Sequence, residues 1–251
     1  MINILISEFM NEESIKTLKK KFNVKYDKDL FQNEKKIKEE IPNFEAIIVR
    51  NKTQLQKNIL DHATKLKFIG RLGVGLDNID KKYCEKKNIH VQIASGINAD
   101  SVSEYVVGSS LHLIKNITLF NNETKKGLWP RSSFKSRELK EKTFGLIGFG
   151  AIGKKVCTLA HNFGSKVISY DPYVDKKLEN EFNLKFLPFD DVAANSDIIS
   201  IHVPLNNETK DLINADAFKK MTKKPVLINT SRGSIVNEED LIIAYKNKII
   251  S

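Results

Sequence analysis

Three glycines in GLIGFGAIGKKV, namely Gly148, Gly150 and Gly153, stand at G-x-G-x-x-G spacing between an apolar run that reads as a strand and an amphipathic run that reads as a helix. Eighteen residues beyond Gly153, Asp171 closes the next strand-like run, KVISYD. That arrangement suits a diphosphate. Gly148 permits a tight turn, Gly150 lets the backbone approach the anion, Gly153 lets helix pack on strand, and the helix N-terminus offers unpaired N–H groups. Asp171 can accept hydrogen bonds from both hydroxyls of an adenosine ribose. Its charge repels a 2′-phosphate, and no Arg follows it in YDPYVDKK. The glycine spacing alone also marks ordinary turns. Strand, helix and acidic residue together complete the dinucleotide fingerprint, with NAD favoured over NADP.

Arg232 is the second candidate. It follows PVLINTS, at the carboxyl end of an apolar run, where ligands bind in open α/β sheets. A guanidinium there can fork onto the carboxylate of a 2-keto acid and polarise its carbonyl as a hydride arrives. The alternative is a structural ion pair with a neighbouring helix. Carbonyl reduction also needs a proton donor, typically a His poised by a carboxylate. His62, His90, His112 and His161 lie in or beside helical patterns with no motif around them. Cys84 and Cys157 lack CxxC spacing, so neither metal nor redox chemistry is suggested.

The elements that must position these residues form two alternating blocks. INILIS, EAIIVR, LKFIGRL and IHVQIA read as strands separated by helical patterns such as Ile15, Leu18 and Phe22. TFGLIGFG, KVISYD, IISIHV and PVLINT form a second set, with helices from about Ile152, Phe189, Ala215 and Asn237. Strands separated by helices imply parallel pairing through right-handed crossovers. Between the blocks, SVSEYVVGSSLHLIKNITLF reads as one long helix, with Ser101 and Glu104 as an S-x-x-E capping box. Its face of Val102, Tyr105, Val106, Ser109, Leu113, Ile117 and Phe120 suits domain bridging, subunit packing or plain core packing.

The bulk composition narrows the class. At 251 residues, 41% hydrophobic and 29% charged, the chain reads as a soluble globular protein of one or two domains. No apolar run approaches the roughly 20 residues of a membrane helix, and Glu8 interrupts MINILISEF where a signal peptide would stay apolar. A cytoplasmic location is expected, without a membrane partner. The net charge of +10 comes from 36 Lys against 5 Arg, spread in short runs. A solvated surface accounts for that better than a nucleic-acid face, which favours concentrated Arg.

Taken together the motifs resemble the D-isomer-specific 2-hydroxyacid dehydrogenases, most closely their 3-phosphoglycerate dehydrogenase branch. IIVRNKT, GRLGVGLDNID, NADSVSEYVV, KKGLWPRSSFKSRELKEKTFGLIGFGAIG, VISYDPY, SIHVPLNNETKDLI and NTSRGSIVNEEDL fall in family order over nearly the whole length. The resemblance implies a two-domain α/β protein: a flavodoxin-like substrate domain over 1–97, and a Rossmann-type NAD-binding domain over 98–251 that includes the long linking helix. It implies NAD-dependent hydride transfer with a small anionic D-2-hydroxy or 2-keto acid, and a homodimer in which Trp129 is a candidate interface anchor.

Residue by residue, the resemblance sets Ala151 and Ile152 beside the pyrophosphate. Val203 and Pro204 fall at the adenine and nicotinamide edge, and Thr230, Ser231 and Arg232 on the nicotinamide side. Val74 approaches the cofactor from the first domain. Arg50 and the amides of Gly73, Val74 and Gly75 grip the substrate's anionic groups, and Lys52, Lys135 and Arg137 are further phosphate candidates. His202 matches a family position that is not the acid–base residue. The family's catalytic Glu and His follow the helix of NEEDLIIAYKN, beyond the stretch present here. Ile249, Ile250 and Ser251 read as the start of the strand leading to them, the sixth and edge strand of the sheet. A non-catalytic NAD(H)-binding module, as in the related C-terminal-binding-protein corepressors, is the alternative reading.

Overall fold

The structure, a computed structural model, describes residues 1–131 and 137–251. They form two compact units, Met1–Ile97 and Asn98–Ser251. The first unit contains β1 (Asn3–Ile6), β2 (Asn23–Tyr26), β3 (Ala46–Val49), β4 (Phe68–Arg71) and β5 (His90–Ile93). All pair in parallel, in the order β2-β1-β3-β4-β5. This is the flavodoxin-like order expected. Alternate residues of the short β-branched strands enter different layers, because side chains in a strand point to opposite faces. Leu5 and Ile47 join one buried cluster with Leu30, Ile37, Ile59 and Leu60. Ile4, Ile6 and Ala46 join the other, with Ile15. Helix Glu12–Lys19 presents Ile15 to that second layer and begins at Asn11, whose side chain accepts the amides of Glu13 and Ser14.

The second unit contains β6 (Thr143–Ile147), β7 (Lys166–Tyr170), β8 (Lys185–Phe186), β9 (Ile198–Ile201) and β10 (Val226–Asn229). Their order is β10-β9-β6-β7-β8, again all parallel. Read from the other edge, this is the 3-2-1-4-5 succession of a Rossmann sheet. Phe144, Leu146, Val156 and Ala160 fill one face, under helix Ala151–Asn162. Ile147, Ile199, Ala217, Phe218 and Ala244 fill the other, under helices Phe189–Asn195, Ala215–Lys220 and Glu238–Lys246.

Four expectations are corrected. Strands β2 and β8 were not anticipated: β2 is half-exposed along its length and β8 has only two residues, so neither carries a long apolar run. The long helix is two, Ala99–Ile114 and Ile117–Lys125, separated at Asn116 in a left-handed conformation (φ 51°, ψ 40°). The capping box does not form, because the first helix begins at Ala99, two residues before Ser101, with Asn98 as its N-cap residue and no side-chain cap. Its buried stripe is Ala99, Ser103, Val106, Val107 and Ser110, whereas Tyr105 and Leu113 are 66% and 46% exposed. Finally, Ile249–Ser251 form no strand. Ile250 is buried, and the Ser251 amide donates to Pro225 O at 3.0 Å beside the start of β10.

Only Gly, and sometimes Asn or Asp, adopts the left-handed region without strain. Replacing Asn116 by Ala should therefore lower unfolding free energy by about 1 kcal/mol, while Asn116→Gly stays near the parent. Urea denaturation of the three proteins checks this.

Candidate functional site

The second unit's strand order reverses between β6 and β9, and the loops at the carboxyl ends of β6, β7, β9 and β10 frame the crevice beside that point. Gly148 follows β6 at φ +97°, and its amide donates to Tyr170 O at 2.8 Å. A Cβ there would lie 2.9 Å from Val203 Cγ1 and 3.0 Å from the His202 carbonyl carbon. A Cβ on Gly153 would lie 2.5 Å from Gly148 O, so helix Ala151–Asn162 reaches its seat only because that atom is absent. At Gly150 a Cβ would meet nothing within 4 Å, and no side chain caps the helix that starts there. Open space therefore faces the leading amides of a twelve-residue helix, the surroundings a diphosphate requires.

Asp171 is joined to this loop directly. Its Oδ2 accepts the Phe149 amide at 2.8 Å and its Oδ1 accepts the Tyr173 amide at 3.0 Å. Each carboxylate oxygen has a second lone pair, so acceptor capacity for two ribose hydroxyls is retained. Phe149 is buried, with edge contacts to Phe182 and Phe186 at 5.3 and 5.2 Å between centroids, which anchors the turn from below.

On the other side of the crevice, the loops after β9 and β10 are laced together. The His202 amide donates to Ile147 O at 2.7 Å, and the Ser231 hydroxyl donates to Val203 O. Asn229, which ends β10, accepts the Ser231 amide at 2.9 Å and donates to Arg232 O at 2.8 Å. Val203, Pro204, Thr230, Ser231 and Arg232 are thus brought to one region of this unit. Arg232 is half-buried, with Nη1 donating to Ser231 O at 3.0 Å. Burial pushes the His202 imidazole down to about 4. It is therefore neutral near pH 7. Of the other histidines, His90 opens β5 just after helix Lys81–Lys86 and stacks on Phe68 at 5.4 Å.

In the first unit the strand order reverses between β1 and β3, and Arg50 and Lys52 follow β3. The carboxylate that shapes their loop is Glu8, only 3% exposed. Its Oε1 accepts the amides of Arg50 and Thr53 at 2.8 and 2.9 Å, and its Oε2 accepts that of Lys52 at 3.0 Å. Burial opposes the charge, but the amides of Thr53, Arg50 and Lys52 outweigh it and hold the carboxyl below its ordinary range. Asn78, also buried, donates to Arg50 O and Thr53 O at 3.1 and 2.7 Å. The result is a pocket with Phe9, Lys28, Phe31, Arg50 and Lys52 around Glu8. The Lys52 ammonium sits 4.5 Å from the Phe31 ring centroid, and the Arg50 guanidinium 6.0 Å from that of Phe9.

The Gly73–Val74–Gly75 loop is held from inside by Arg71, which is 8% exposed and donates to Gly75 O and Leu72 O at 3.0 and 2.8 Å. Val74 is 44% exposed. Arg137 is exposed, and Lys135 lies outside the described residues. Sequence reasoning missed Glu8, Arg71, Asn78 and Asn229. For Glu8, Arg71 and Asn229 the one local signal is a charged or polar residue standing at or just after an apolar strand, and Asn78 has none.

Residues 107–251 match the family model described as the D-isomer specific 2-hydroxyacid dehydrogenase NAD binding domain. The chain is 34% identical over 245 residues to D-3-phosphoglycerate dehydrogenase of Archaeoglobus fulgidus, covering 98% of this chain and 46% of that one. It is 34% identical over 254 residues to (S)-sulfolactate dehydrogenase of Chromohalobacter salexigens, covering 99% and 81%. Among solved structures, D-lactate dehydrogenase from Aquifex aeolicus, complexed with NAD and lactic acid, superposes with a TM-score of 0.88 at 31% identity over 99% of this chain and 74% of that one. The chain spans about half the length of the curated phosphoglycerate dehydrogenases that it matches.

Two stability outcomes follow from the geometry. Gly153→Ala should lower the melting temperature clearly, because the new Cβ meets a backbone oxygen rather than a movable side chain. Glu8→Gln should cost about 2 kcal/mol at neutral pH, the scale of hydrogen bonds to a charged group. Since the folded carboxyl lies below its unfolded value, this stabilisation is present above the unfolded pKa of about 4.3 and is lost as pH falls through the folded value. The variant's acid limb in denaturation against pH should be correspondingly flatter; an unchanged limb would remove Glu8 from this role.

Proposed function

The chain belongs to the D-isomer-specific 2-hydroxyacid dehydrogenase family, and from that premise we propose that it serves NAD-dependent hydride transfer between a D-2-hydroxy acid and its 2-keto acid. The observation that carries this reading is the joined glycine loop and Asp171, set in one unit with Arg232 at the carboxyl end of β10. Bound NAD supplies the hydride acceptor, and NADH the donor in the reverse direction. The leading amides of helix Ala151–Asn162 hold the pyrophosphate, Gly150 leaves it room, and Asp171 holds the adenosine ribose. Val203, Pro204, Thr230 and Ser231 line the path towards the nicotinamide. Arg232 forks onto the substrate carboxylate and polarises the carbonyl.

For the substrate we propose the pair 3-phosphoglycerate and phosphohydroxypyruvate. Arg50 and Lys52, with Lys28 on the same pocket, supply cations for a phosphate, and the amides of Val74 and Gly75 add neutral donors, that of Gly73 being taken up by Arg71 O at 2.8 Å. The likeness to a D-3-phosphoglycerate dehydrogenase supports this choice. We also propose a homodimer in a cytoplasmic setting. Tyr105, Leu113, Ile117, Leu128 and Trp129 are all exposed apolar residues along or just after the two helices of Ala99–Lys125, and Trp129 is 81% exposed. Both cysteines are free and buried, and among the described residues no helix is long and apolar enough to cross a membrane.

The second reading is a dinucleotide-binding module without turnover, which the joined glycine loop and Asp171 would serve equally well. Titration with NADH, followed by assays with 3-phosphohydroxypyruvate, glyoxylate and hydroxypyruvate, separates the two. Turnover that is fastest with the phosphorylated acid supports the enzyme, and NADH binding with no turnover selects the module. Gly150→Val should weaken NADH at least about tenfold, because a side chain would fill the space for the pyrophosphate, with little change in melting temperature. Light scattering tests the dimer.

A further inference from the structure

We propose that Tyr173 and Glu208 form a second cofactor-selectivity element, which sets another carboxylate at the adenosine end and so disfavours a 2′-phosphate; this rests on the dinucleotide reading above. The Asp171 side chain accepts the Tyr173 amide two residues on, so the carboxylate that holds the ribose also aims the tyrosine. The Tyr173 hydroxyl then donates to Glu208 Oε2, a contact between residues 35 apart in sequence. Tyr173 is 78% exposed, so burial does not fix its side chain and the hydrogen bond does.

Glu208 is presented by a turn that is wired internally. Asn206 Oδ1 accepts the amides of Glu208 and Thr209, both at 2.9 Å. The Thr209 hydroxyl accepts the Asn206 amide at 2.8 Å and donates to Pro204 O. The two joined loops follow β7 and β9, the strands on either side of β6, so the contact spans the strand that ends in the glycine loop. Two carboxylates act on one phenol: its titration is pushed up first by the hydrogen bond to Glu208 and then by that residue's charge, with Asp171 adding to the same effect. A ribose bound at Asp171 would therefore meet two negative groups. A 2′-phosphate brings a charge of about −1.5 to −2. At separations of several ångström in a solvated site, repulsion from one added carboxylate amounts to about three- to tenfold in affinity.

The test is titration of the full chain and its variants with NADH and with NADPH. The parent should prefer NADH. Glu208→Gln, which keeps an acceptor for the phenol but removes the charge, should lower the NADH-to-NADPH affinity ratio about three- to tenfold at low salt. That change should shrink at about 1 M salt, where the screening length is about 3 Å. Tyr173→Phe, which releases Glu208 from its position, should give a smaller change in the same direction. A ratio unmoved by Glu208→Gln, in a variant with the parent's melting temperature, overturns the selectivity element while leaving the dinucleotide site intact. Failure of the parent to bind either dinucleotide overturns the site reading, and the element with it.

Discussion

The approach of the Gly153 α-carbon to the carbonyl oxygen of Gly148 is the contact on which the second unit's crevice depends. A helix that follows a central parallel strand must turn back over the sheet within a few residues, and any side chain at Gly153 would hold it away. Because the helix is seated so closely, its first amides open directly onto the crevice, and the Phe149 amide is left in position for Asp171. The glycine loop, the placing of the Asp171 carboxylate and the loops after β9 and β10 are consequences of one steric allowance propagated through hydrogen bonds.

The first unit solves the same problem with charge instead of space. Its loop after β3 carries a run of amides that no strand partner satisfies, and the buried Glu8 carboxylate collects three of them. Buried backbone donors must find acceptors, and an ionised acceptor is the strongest available. Asn78 adds the complementary bonds to the carbonyls of the same loop. Arg50 and Lys52 are in this way free to use their side chains outward, since their backbones are already fixed.

Much of this was legible in the sequence where a local rule applies. The glycine fingerprint is readable because each missing Cβ has its own steric reason, and Arg232 because it stands three residues after the end of an apolar strand. The central strands announce themselves by β-branched runs such as INILI and AIIV. The edge strands β2 and β8 do not, since an edge needs fewer apolar residues and both are partly exposed. Ser101 looked like a helix cap, yet the helix gains a turn's start from Asn98 and needs no side-chain bond there. The break at Asn116 is a backbone event with no change of apolar period. Glu8 and Asn78 act on partners up to 45 and 28 residues away, distances at which sequence pattern carries no pairing information.

The parallel order of both sheets has a kinetic consequence. Among the described residues no strand can pair with its successor through a tight hairpin, because each ladder there is parallel. The clasp at the base of β6 and β9 joins the Thr143 amide and the Lys142 ammonium to Asp197, 54 and 55 residues away. Entropy must be lost to close that loop before any hydrogen bond rewards the closure. Chains dominated by such distant contacts reach the native state slowly compared with helical bundles. The second unit should thus collect its helices early and its central β6–β9 pairing late, leaving the apolar faces of Phe144, Leu146 and Ile199 exposed longest during refolding and in need of protection from neighbouring chains.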